Sequence, residues 1–147
     1  MRDPVRVAVE QAAAGLTTSG VRALRVLLHA GLTAYWPTVR ATPTRQLAAY
    51  ETTLDTMRER VNGTGTTVGQ GSIDIFQQMD GEGAAFLDLC ARLAGAQWLE
   101  PLDSLATMLV SVLYGTVLRW LADGNDETVV IVLDDLVGCL TLKAVDA

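Results

Sequence analysis

An apolar stretch near the end of the chain, LATMLVSVLYGTVLRWLADGNDE at residues 105–127, constrains the fold most strongly. Thr107, Ser111 and Thr116 interrupt its apolar part, and Arg119 ends that part before it reaches the roughly 18 to 20 apolar residues that a bilayer requires. Pro101 precedes the predicted helix and Gly124 follows its last turn, as commonly happens at the two ends of helices in water-soluble proteins. The stretch therefore predicts a soluble helix over about 102–122 and no membrane span.

Length and composition favour one helical domain over the 147 residues. Half of the residues are apolar but only 5% are aromatic, so Leu, Val and Ala must fill the core, and these residues favour helices. The net charge is −6 at pH 7, whereas nucleic-acid binding depends on clustered Lys and Arg. We therefore expect no direct contact between this chain and nucleic acid.

The residues that bind metals are scarce. Cys90 and Cys139 are far apart in the sequence, and His29 is the only histidine. The sequence therefore predicts no metal site and no cofactor. The two thiols are interpreted as small buried hydrophobic residues of a reducing compartment, and with no secretory signal the expected location is the cytoplasm.

Capping residues, glycines and prolines divide the first half of the chain into helices. One helix is predicted from Asp3 to near Gly15, and a second one after Ser19, which Pro37 kinks or ends. A third helix is predicted to begin at Thr42 and Pro43.

A glycine-rich segment, NGTGTTVGQG at 62–71, follows the third helix. It predicts a flexible loop, because no strand precedes it and no Lys-Ser/Thr pair follows it, as a phosphate-binding loop would require. Residues 73–78 and 83–93 then predict either one interrupted helix or two short ones.

The last segment, DETVVIVLDDLVGCLTLKAVDA, is rich in β-branched residues, which favour strands. Asn125 as a cap, with acidic residues in the next turn, instead favours a helix over about 127–145. This helix and the preceding one are apolar over more of their circumference than one core can cover. They predict a homodimer with a four-helix contact. Its predicted contact residues are Ser111, Gly115, Leu118, Ala122, Val130, Val137, Gly138 and Thr141.

Two segments carry a resemblance to a known family. YWPTVRATPTRQLAAYETTLDTMRER resembles the central part of TetR-type transcriptional regulators, and PLDSLATMLVSVLYGTVLRWLADGNDE with VLDDLVGCL resembles their last two helices. The likeness extends over nearly all of residues 1–145. It implies an all-α, antiparallel bundle of about six helices that binds a small-molecule effector and dimerises through its last two helices. The family's N-terminal helix-turn-helix has no counterpart in this sequence. The sequence is therefore interpreted as a fragment or as a sensor without a DNA-binding domain.

The effector pocket that the resemblance implies lies among the middle helices, and its ligand is expected to be small and apolar. The candidate ligand-binding residues are His29, Leu32, Trp36, Tyr50, Leu54, Met57, Phe86, Met108 and Val112. Each of them is also compatible with an ordinary place in the core. The identity of the ligand is not encoded in any motif of the chain.

The sequence does not predict an enzyme. His29 lies in an apolar helix with no acidic residue at helical spacing, and the adjacent Asp134 and Asp135 point to different sides of their helix. The alternative function is that of a dimeric helical adaptor or structural protein without a small-molecule ligand. An internal cavity would favour the sensor, and a solid core would favour the adaptor.

Overall fold

A computed structural model describes residues 3–63 and 70–147 of the chain. The described residues form six helices and one two-stranded sheet, which confirms the predicted all-α class. In chain order they are α1 Asp3–Ala14, α2 Gly20–Arg40, α3 Pro43–Asn62, α4 Gln70–Ala94, β1 Ala96–Trp98, α5 Leu102–Asp123, α6 Asp126–Thr141 and β2 Ala144–Asp146.

Several helix ends are defined by the capping residues that the sequence indicated. Pro43 opens α3, where the missing N–H of a proline costs no intrahelical hydrogen bond. Gly124 ends α5 with φ of 66°, and its N–H donates to the Trp120 carbonyl at 2.8 Å. The Asn125 side chain accepts from the Thr128 N–H at 3.1 Å and so caps α6.

Three helices differ from their predicted extents. Helix α2 continues past Pro37 to Arg40, so the alternative that Pro37 ends the helix is wrong, and the buried Val39 lies in its last turn. Helix α4 is continuous from Gln70 to Ala94, whereas one interrupted helix or two short ones had been predicted. Most of the predicted glycine-rich loop lies outside the described residues. Helix α6 ends at Thr141, and the residues expected to extend it form β2 instead.

The sheet joins the end of the chain to the α4–α5 connection. Its strands are antiparallel, with Trp98 opposite Ala144 and Ala96 opposite Asp146. The Asp146 carboxylate also accepts from the Val21 N–H at 2.7 Å, so it satisfies a free donor at the beginning of α2. The C-terminal residues therefore contact both β1 and the beginning of α2, which are distant from each other in sequence.

Helix α2 lies at the centre of the bundle and packs against α1, α4 and α6. The largest fully buried side chains of these four helices are Leu24, Leu27, Leu28, Leu87, Leu140, Val9, Val39, Val129 and Cys90. Helix α3 is more peripheral, since only its Tyr50 and Thr53 are buried. Leu105 and Leu109 of α5 are buried as well, so α1, α2, α4, α5 and α6 form the interior.

Candidate ligand cavity and dimerisation surface

A cavity of about 150 Å³, half open to solvent, lies between α1, α2, α4 and α5. Its wall is mostly apolar and includes Leu32 of α2, Phe86 of α4 and Leu109 of α5. Tyr35 and Glu82 supply its polar side chains. An apolar cavity of about 150 Å³ accommodates a molecule the size of benzene. The void can therefore hold a small ligand and not only a water molecule.

Two glycines in the cavity wall let the helices approach one another. A Cβ on Gly31 would lie 2.3 Å from Cε2 of Phe86, so the aromatic ring occupies the space that a side chain on α2 would need. A Cβ on Gly83 would lie 3.3 Å from Cγ2 of Val110, which brings α4 close to α5. Glycine at these two positions thus determines where Phe86 and Val110 lie in the wall.

Of the candidate ligand-binding residues, Leu32 and Phe86 line this cavity. Trp36 is buried elsewhere, where its ring meets that of Trp120 edge-on at a centroid distance of 5.0 Å. Met108 is half-buried against the core, and Val112 faces a groove between α5 and α6. The structure therefore divides the predicted pocket residues among separate places.

The candidate residues of α3 do not reach the cavity. Tyr50 donates a hydrogen bond to the Tyr114 carbonyl of α5, and the two rings lie 4.3 Å apart. Burial raises the pKa of the Tyr50 hydroxyl, and the neighbouring Tyr114 and Tyr35 raise it further. Leu54 and Met57 are exposed, because α3 contacts the bundle mainly through the side of the helix that carries Tyr50 and Thr53.

His29 lies on the surface, so its interpretation as a core or pocket-lining histidine is wrong. Its Nδ1 is 3.2 Å from Oδ1 of Asp134, and both side chains are about 60% exposed. No acidic residue of α2 lies at helical spacing from His29, and its acidic neighbour Asp134 belongs to α6. Arg40 makes a second link between these helices, with 3.3 Å between its Nη1 and Oδ2 of Asp126.

The two cysteines have different surroundings. Cys90 is buried in the core, and burial raises the pKa of its thiol to about 12. Cys139 is exposed on α6, so the expectation that both thiols are buried is wrong for this residue. Within residues 3–63 and 70–147, no group of three or more His, Cys, Asp or Glu side chains could hold a metal ion.

The side of α5 that faces away from the core carries the predicted dimer residues Ser111, Gly115, Leu118 and Ala122, and all four are exposed. A Cβ on Gly115 would have no neighbour within 4 Å. Beside this side of the helix lies a groove of about 310 Å³ between α5 and α6, which includes Gly115 and Val132. This face of α5 thus presents small residues and one large apolar side chain to the outside.

Helix α6 supports only part of the predicted contact. Val130 is 51% exposed, and Gly138 has open space where a side chain would lie. Val137 and Thr141, in contrast, are buried in the core of the same chain, so the prediction that they face a second copy is wrong. The neighbouring Ile131, 54% exposed, is an outward residue that the prediction missed. The wide apolar circumference of α6 did not reveal which of its residues pack inward.

Among the described residues, α5 is the one helix long and apolar enough to cross a membrane by length and composition. Its most apolar window has a mean hydropathy of 1.5, but only 28% of that window is buried. Helices of soluble proteins also reach this hydropathy when they are mostly buried in a core, and α5 is not. Much of the apolar surface of α5 is therefore not covered by the described residues.

Comparisons of the chain with family models, with curated proteins and with solved structures found no match. No relative's site is thus available to assign roles to these side chains. The function is inferred from the residues and from their geometry.

Proposed function

We propose that the chain is the effector-sensing and dimerisation domain of a TetR-type transcriptional regulator, which binds a small apolar ligand. The observation that carries this proposal is the double role of α5. Leu109, Val110 and Leu113 line the cavity on the inner side of this helix, while Gly115 and Leu118 are open on its outer side. One helix therefore borders both a ligand-sized void and an uncovered surface.

The cavity supports the sensing role. Its wall is mostly apolar and is supplied by four helices, as is common at sites that bind small molecules. An apolar ligand bound there would remove part of this wall from water, which is favourable.

The outer surface of α5 and α6 supports dimerisation. Leu118, Val130 and Ile131 are each about half exposed, and burial of such apolar side chains against a second copy would be favourable. The open space at Gly115 allows a second helix to approach closely. A four-helix contact would bury on the order of 2,000 Å² in total, which is within the range of stable homodimers.

The chain itself is not expected to bind duplex DNA. Its net charge of −6 repels a phosphate backbone, and the sequence has no basic recognition helix. A mobility-shift titration at physiological salt should therefore give no complex at nanomolar protein concentration. A specific complex in that range would contradict this part of the proposal.

Two measurements on the purified chain test the proposal. Sedimentation velocity across a dilution series should show a dimer at micromolar concentration, and a monomer there would count against the α5–α6 contact. A thermal-shift screen of small hydrophobic compounds should find stabilising ligands, since binding to the folded state raises its stability. A dimer that no compound stabilises would favour the adaptor.

A further inference from the structure

We propose that the outer edge of β2 binds an extended segment of a partner protein, which adds a third strand to the sheet and places an acidic side chain beside Arg22. This surface is separate from the cavity and from the outer side of α5, so the inference does not depend on the proposed function. It is based on the direction of the main-chain groups of β2 and on the groove beside them.

The main-chain groups of Ala144 and Asp146 point away from β1. The Lys143 carbonyl accepts an N–H of the α4–α5 connection at 2.9 Å, and the Ala147 N–H donates to a carbonyl of the same connection at 3.0 Å. Successive residues of a strand direct their N–H and C=O groups to opposite edges, so those of Ala144 and Asp146 are directed to the edge away from β1. Among the described residues no third strand covers this edge, and such an edge can pair with a strand of another chain.

An open groove of about 700 Å³ runs along this edge. All three residues of β2 line the groove and, among the described residues, none of β1 does, so the groove lies on the side to which Ala144 and Asp146 direct their main-chain groups. Its opposite wall belongs to the α1–α2 connection and to the first turn of α2. An extended chain can therefore lie between β2 and the beginning of α2.

Arg22 determines which charge the groove favours on the added strand. Its side chain is exposed in the groove wall and makes no ion pair with another described residue. The Asp146 carboxylate also lies in the wall, but it is turned toward α2, where it accepts from the Val21 N–H at 2.7 Å. An acidic side chain on the added strand therefore gains a charge-assisted contact with Arg22, whereas a basic one meets a like charge.

A five-residue probe, acetyl-Thr-Val-Glu-Val-Thr-amide, tests whether the edge accepts a strand. Titrated into the isotope-labelled full chain at pH 7 and low salt, it should shift the amide signals of Ala144, Asp146 and Arg22 and leave those on the outer side of α5 unchanged. The same peptide with Gln in place of Glu should bind about threefold to fivefold more weakly, as the loss of an exposed ion pair allows. The absence of shifts in β2 at millimolar peptide would overturn the inference. Shifts of the same amides on concentrating the protein without peptide would assign the edge to a second copy and overturn it as well.

Two N-methylated forms of the probe distinguish strand addition from a contact through side chains alone. One form carries N-methyl groups on both Val residues, and the other carries them on Glu and on the last Thr. Alternate N–H groups of an added strand point to opposite edges, so one form should lose at least about tenfold in affinity and the other should bind like the unmethylated peptide. Equal affinities of the two forms would contradict the proposed strand.

A matched pair of arginine variants on α2 tests the location. Arg22→Gln should abolish the preference for the Glu peptide over the Gln peptide and leave the affinity for the Gln peptide unchanged. Arg25→Gln removes the same charge from an exposed position outside the groove, and it should leave the preference intact. Equal effects of the two substitutions would mean that the net charge of the chain and not Arg22 sets the preference, and the inference would fail.

Discussion

Gly31 of α2 and Gly115 of α5 occupy comparable places near the middle of two helices of 21 and 22 residues, but their surroundings are opposite. A Cβ on Gly31 would lie 2.3 Å from the ring of Phe86, whereas a Cβ on Gly115 would meet nothing within 4 Å. The same residue type thus serves two kinds of close packing. At Gly31 the neighbour belongs to the chain, and at Gly115 we propose that it belongs to a second copy.

The difference extends over both helices. Nine residues of α2 are buried but only five of α5, although α5 is the helix that is apolar enough to cross a membrane. A helix with this hydropathy normally has its surface covered. The chain itself therefore covers the apolar side of α2, whereas it leaves much of the apolar surface of α5 exposed.

The largest expected effect contrasts the two thiols, since Cys90 is buried in the core and Cys139 is exposed on α6. At pH 8 in the native protein, the exposed Cys139 should react rapidly with a thiol reagent and Cys90 should not, because Cys90 is buried and a thiol with a pKa of about 12 is almost entirely protonated there. Counting the reacted thiols before and after denaturation in urea measures this. Rapid reaction of both thiols in the native state would contradict the closed core.

The raised pKa of Cys90 also has a consequence for stability. Folding favours the protonated thiol, so its contribution is fully present below the pKa of an unfolded thiol, about 8.5. It is lost as the pH rises from there toward about 12. The Cys90→Ala variant should therefore lose less stability than the unmodified protein over this pH range, as urea titrations at several pH values would show.

The next effect concerns Gly115, the glycine of α5 that has no neighbouring atoms. Gly115→Glu would put a charge into the surface that we propose a second copy covers, and it should raise the dimer dissociation constant by about a hundredfold or more, as buried unpaired charges do. Analytical ultracentrifugation across dilution is the measurement. Gly81→Glu on α4 is the matched control, since this glycine also lies in open space and should leave assembly unchanged. Normal dimerisation of the Gly115→Glu variant would disprove the proposed contact.

A substitution at Gly31, which contacts Phe86, should lower the stability of the fold and leave dimerisation unchanged. Gly31→Ala forces the Phe86 ring to move, and such overpacking lowers the free energy of unfolding by about 1 to 3 kcal/mol. Gly81→Ala, a helical glycine in open space, should instead be neutral or stabilising by up to about 1 kcal/mol. Urea unfolding of both variants measures this difference. Equal free energies of unfolding would mean that the Phe86 ring can move without loss of stability.

The smallest effect is expected on the outer side of α2. The His29–Asp134 pair is about 60% exposed on both sides, and exposed pairs contribute little because water and salt screen them. His29→Gln should therefore change the free energy of unfolding by less than about 0.5 kcal/mol in the same urea assay. A larger loss would indicate that the α2–α6 contact depends on this pair.

The sequence by itself determined the helical class and several helix ends. These features depend on interactions within a few residues: Pro43 and Asn125 act on the first turn of their own helices, and Gly124 acts on the last turn of α5. The excess of apolar residues in α5 was also visible, because hydropathy needs no knowledge of neighbours.

Only the tertiary structure decided which residues meet. His29 and Asp134 are brought together by the packing of α2 on α6, and Trp98 and Ala144 by the pairing of two strands that no local signal announced. The absolute direction of an apolar stripe was equally hidden, so Val137 was expected outside and lies inside. The physical reason is that periodicity fixes which side chains share a face of one helix, whereas the choice of the face that packs inward depends on the free energy of burial against all the other helices.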